Sequence, residues 1–66
     1  MYNKNITLLS TLIINAKSYK VDSIFYYAGL LKGVRKIILR PQNKIGTRLS
    51  CVVWSDGEIN RFLEVD

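Results

Sequence analysis

Few residues in this chain have the types and spacing that chemistry requires. Cys51 is the only thiol and there is no histidine, so neither an imidazole base nor a Cys–His pair can be assembled. Cys51 alternates with Leu49 and Val53, the pattern of a small apolar residue on the buried face of a strand. Asp56 and Glu58 stand close enough to resemble a catalytic carboxylate pair. They flank Gly57, however, where a hairpin turn calls for Asp and Gly on geometry alone. Gly29-Leu30-Leu31-Lys32-Gly33 combines glycine and lysine without the spacing or the Ser/Thr of a phosphate-binding loop. One thiol and scattered carboxylates do not make a metal site. The chain is therefore expected to be no enzyme and to need no cofactor or metal.

What remains is charge. Residues 1–50 hold nine Lys or Arg against one acid, Asp22, a net of +8, while residues 51–66 carry a net of −3, giving +5 overall. Lys32, Arg35, Lys36, Arg40, Lys44 and Arg48 face no acid within their own stretch. Such a run repels itself and is relieved by an anionic partner, either nucleic acid (DNA or RNA) or an acidic protein surface. If Lys36, Ile38 and Arg40 share a strand face with Arg48, Ser50, Val52 and Trp54, cations would flank an indole on which a base could stack, with Phe62 a second stacking residue. The leading expectation is thus a small basic nucleic-acid-binding or regulatory module contacting phosphates through residues 32–48 and Trp54. The alternative is an adaptor or inhibitor that docks on an acidic surface. Tyr26 and Tyr27 cannot both face one core from a helix, which leaves a tyrosine ring free for protein contact.

These residues must be positioned by one small domain spanning residues 1–66. A chain this short buries only about 60% of its unfolded surface, and with 48% apolar residues a homodimer or another partner would help to cover it. Thr47–Trp54 and Ile59–Val65 read as a β-hairpin around Ser55-Asp56-Gly57. Pairing Trp54 with Glu58 sets Val53 opposite Ile59, Val52 opposite Asn60, Cys51 opposite Arg61, Ser50 opposite Phe62, Leu49 opposite Leu63 and Arg48 opposite Glu64. Arg61 is the misfit on the apolar side of that ribbon. Val34–Arg40 reads as a third strand ended by Pro41, completing a C-terminal antiparallel meander.

Ser23–Lys32 reads as a helix: Asp22 is a suitable N-cap, Val21 and Tyr26 fit a hydrophobic staple, and Ile24, Tyr27, Ala28 and Leu31 share a helical face. Ile6–Asn15 fits a helix or a strand, with its β-branched residues leaning to strand. The expected class is α+β, a three-stranded meander with one short helix. The alternative makes Tyr19–Ala28 a strand too, giving a five-stranded SH3-like small barrel. Val52-Val53-Trp54-Ser55-Asp56-Gly57-Glu58 resembles hairpins of Tudor-like and other SH3-like small barrels, families that bind nucleic acid or protein tails. The resemblance spans seven residues, mostly turn chemistry, and carries no binding residue across.

The apolar run Ile6–Ile14 is shorter than the roughly 18–20 residues of a membrane-spanning helix and is followed by no small-x-small cleavage pattern. No membrane association is expected. The lone cysteine suits a reducing compartment, which makes the expected location cytoplasmic.

Overall fold

A computed structural model describes residues 1–65. It is nearly all sheet. Five strands, β1 (Thr11–Ile14), β2 (Lys17–Tyr26), β3 (Arg35–Pro41), β4 (Arg48–Val53) and β5 (Ile59–Val65), run antiparallel in the order β1-β2-β3-β4-β5. The sheet curls into a half-barrel around one apolar face. The expected α+β class is therefore corrected, and the five-stranded alternative fits. The only helical piece among the described residues is a 3-10 turn, Gly29–Leu31; none is long and apolar enough to cross a membrane.

The helix expected over Ser23–Lys32 fails for a specific reason. Tyr19 and Val21 alternate inward with Lys20 outward, the period of a strand. Between Val21 and Ser23 the register with β3 shifts, so Asp22 is an extra, bulged residue. The bulge moves the next core-facing residue to Ile24, and an i to i+3 spacing read along the chain then imitates a helix. Beyond it, Phe25, Tyr26 and Tyr27 favour a strand.

The core comprises Leu12 and Ile14 of β1, Tyr19 and Val21 of β2, Ile37 and Leu39 of β3, Cys51 and Val53 of β4, and Ile59 of β5. Ile6 joins them from outside the sheet. It arrives on an N-terminal strap. Met1–Asn3 pair with the start of β5 through Ile59 N–H to Met1 O (2.8 Å) and Asn3 N–H to Gly57 O (2.7 Å), and Ser10 O accepts from Val21 N–H at 3.4 Å. The segment thus runs from one edge of the curled sheet to the other, and closes over the core. The Arg35 guanidinium ties it down, donating to Lys4 O (3.1 Å) and Ile6 O (3.3 Å). Gly57 permits the close approach: it has φ +94°, and a Cβ there would lie 2.7 Å from Lys4 Cγ and 3.1 Å from Lys4 N.

In the C-terminal hairpin, Val53 pairs with Ile59 and Val52 with Asn60, as the turn chemistry implies. From Arg61 on the pairing slips by one residue. Ser50 opposes Leu63, Leu49 opposes Glu64 and Arg48 opposes Val65. Arg61 adopts φ 58° at this second bulge. The bulge accommodates a residue that the regular ladder would have aimed into the core.

Candidate protein-docking surface

The cations of residues 32–48 are spread along β3, onto the start of β4 and over the turns at both ends of β3. Arg35 is turned onto the strap. Arg40 and Arg48 lie 3.8 and 3.6 Å from the two carboxylate oxygens of Asp22, which the bulge presents on the outer face of the sheet. Both pairs are largely exposed, so each contributes little to stability, yet together they offset local charge. Lys36 is half-buried on the outer face, in the row Phe25–Lys36–Val52–Asn60. Lys32 follows the 3-10 turn, and Lys44 sits in the β3–β4 loop with φ 62°. Among the described residues, Lys20, Lys32, Lys36 and Lys44 form no ion pair.

Trp54 is engaged by two neighbours. Its Nε1–H donates to Asn60 Oδ1 at 2.8 Å, and the Arg61 guanidinium lies 5.8 Å from the ring centroid, within range of a cation–π contact. The indole is half-buried, with one face taken. Phe62 is 39% exposed.

Aromatic exposure is concentrated elsewhere. Phe25, Tyr26 and Tyr27 are all exposed, and so are Leu30 and Leu31, with Leu30 wholly in solvent. Five large apolar side chains thus stand in water within seven residues, at the end of β2 and in the turn that follows. The sequence marks Phe25, Tyr26 and Tyr27 as an aromatic cluster, whereas the expected helix over Ser23–Lys32 conceals the exposure of Leu30 and Leu31. Asp22 as the partner of Arg40 and Arg48 was likewise hidden by its reading as a cap. Gly29, with φ 69°, was the available signal for a turn.

The residues with catalytic types have structural places. Cys51 is fully buried, and burial pushes its thiol up to about 12, so almost no thiolate forms near neutral pH. Asp56 Oδ1 accepts the Glu58 N–H at 2.9 Å and shapes the β4–β5 turn, where Gly57 N–H donates to Trp54 O and Trp54 N–H to Glu58 O, each at 2.8 Å. A cleft of about 510 Å³ opens between the β1–β2 turn and the β3–β4 loop, lined by Lys17, Ser18, Pro41 and Ile45 among others. It lies away from the exposed aromatic stretch, and Lys17 is the one cationic side chain in its lining. No group of metal-binding side chains occurs among the described residues.

Comparison with protein-family models, characterised proteins and solved structures finds no match to this chain.

Proposed function

We propose that this chain is a protein-binding module, an adaptor or inhibitor, that docks on an acidic surface of a larger protein or assembly. The observation that carries this reading is the uncovered apolar stretch Phe25–Leu31, with Leu30 fully exposed. Large apolar side chains left exposed in one short stretch of chain favour an interaction site, and burying one such leucine is worth roughly 1.5–3 kcal/mol. The lysines beside it, Lys32 and Lys36, are unpaired among the described residues and would complement an acidic partner and steer its approach. Binding needs no cofactor and no reaction at Cys51. The buried lone thiol suits a reducing, cytoplasmic setting.

A nucleic-acid interface is the weaker reading. It needs a continuous cationic track beside a free aromatic face. Here Arg35 holds the strap, Arg40 and Arg48 share Asp22, and Arg61 caps Trp54.

The test is selection of random linear peptides on the immobilised protein, followed by calorimetric titration of those enriched. The expected result is enrichment of peptides combining acidic with aliphatic or aromatic residues. Their affinity should fall at least about 10-fold for Leu30→Asp, the size of effect expected from an interface anchor. Enrichment without acidic bias, or peptides indifferent to Leu30→Asp, would contradict the proposal.

A further inference from the structure

The open edge of β2 indicates how such a partner is held. β2 has ten residues and β1 has four. β1 covers Lys17–Lys20, and Ser10 O covers Val21 N–H. Past that point β2 is paired on one side only, with β3, through Tyr26. The Tyr27 N–H donates to Val34 O at 3.3 Å, which fixes the alternation of the antiparallel ladder. Phe25 directs its N–H and C=O towards β3, and Ile24 and Tyr26 direct theirs away. The backbone groups of Ile24 and Tyr26 therefore form an unpaired edge, bordered by the exposed rings of Phe25 and Tyr26 and by Leu30 and Leu31 in the adjoining turn.

Proteins usually blunt such edges with charge, proline or a covering loop. The other sheet edge is blunted in this way: its start is covered by Met1–Asn3, and its remainder carries the Arg61 bulge and Glu64. On β2 the bulge precedes the open stretch. Ile24-Phe25-Tyr26 has no charge or proline of its own.

We infer that an extended segment of an acidic partner protein adds to the sheet as a further strand along Ile24–Tyr26. The inference rests on the docking reading above and specifies its mode. Main-chain hydrogen bonds to Ile24 and Tyr26 would hold the segment, and its side chains would alternate between faces. Acidic residues on the outer side would meet Lys36, which lies on that face of the sheet opposite Phe25. Apolar residues on the opposite side would cover the Tyr26 ring, which alternates with Phe25 to the other face. Charge also decides against a second copy on this edge, since that would bring together two chains of net +5 at their lysine-rich side.

The probe is an acetylated peptide of alternating glutamate and valine, about eight residues long, the length of an ordinary strand, read by amide hydrogen exchange on the intact chain. In the free protein, Ile24 and Tyr26 amides should exchange much faster than those of Phe25 and Tyr27. The peptide should slow exchange at Ile24 and Tyr26 at least about 10-fold. Tyr26→Pro removes one donor at a position that does not bond β3, a substitution edge strands tolerate. It should weaken binding at least about 10-fold, and Tyr26→Ala should weaken it less. Binding with unchanged exchange at Ile24 and Tyr26, and equal affinity for Tyr26→Pro, would overturn strand addition and leave acidic docking standing. Failure of this peptide to bind, while selected acidic peptides do, would also overturn it. If no acidic peptide binds at all, both readings fall together.

Discussion

At the scale of single residues, backbone conformation and burial make the sharpest statements. Asn15 and Ala16 both have positive φ, 52° and 64°, as the two central residues of the tight turn in which Ile14 pairs with Lys17. Asn tolerates this conformation; alanine is strained in it by roughly 1–2 kcal/mol. Ala16→Gly is expected to raise stability by about 0.5–1 kcal/mol in urea unfolding, because this turn type favours Asn-Gly. Gly57→Ala should do the reverse, costing about 2 kcal/mol or more from positive φ and the clash with Lys4 together. Cys51 should resist thiol reagents at neutral pH, reacting only as fast as the fold opens. Its folded-state thiol sits near 12, against an ordinary value of 9.0. Above pH 9 the unfolded chain releases this proton while the folded chain keeps it. The Cys51 contribution therefore leaves stability flat below pH 9 and lowers it progressively between 9 and 12, a trend Cys51→Ala should lack. Leu30→Asp should leave stability within about 0.5 kcal/mol of the natural chain, since the side chain makes no buried contact to lose.

At the scale of elements, the legible parts of the sequence were those with local signals. Ser55-Asp56-Gly57 announced the C-terminal hairpin, and Pro41 the end of the third strand. Two bulges hid the rest. At Asp22 the extra residue gave a strand the spacing of a helix; at Arg61 it slipped the hairpin pairing by one residue after Asn60. Both are tertiary solutions to local misfits, and neither has a sequence mark as plain as Asn-Gly. The β1–β2 turn was missed for the same reason, since Asn15-Ala16 lacks the glycine that would have announced it. The exposed tyrosines of the candidate surface were legible, but the commitment of Arg35, Arg40 and Arg48 was not. That depends on the strap and on which strands become neighbours. The strap supplies a direct check. Arg35→Met keeps most of the apolar stem and removes both hydrogen bonds, and should cost about 1.5–3 kcal/mol, the range for bonds to a charged group. Ile6→Ala should cost roughly 2–5 kcal/mol by leaving a hole in the core.

At the scale of the whole molecule, a half-barrel of 65 described residues closed by its own N-terminal strap leaves a large share of its apolar side chains in water. Its net charge of +5 favours solubility of the free chain and disfavours self-pairing through the lysine-rich side. A partner that is both acidic and apolar satisfies the two features at once, whereas a polyphosphate satisfies only the charge. Salt separates these cases, because phosphate binding through released counterions weakens steeply and linearly in log salt, while apolar burial does not. The most direct measurement is a side-by-side calorimetric titration of the chain with the alternating glutamate–valine peptide and with an oligothymidylate of equal charge, at about 50 and about 300 mM salt. The expected result is that the peptide binds more tightly than the oligonucleotide at the higher salt and loses less affinity between the two. An oligonucleotide that binds more tightly at both, with a steep salt slope and no measurable binding of the peptide, would contradict the account.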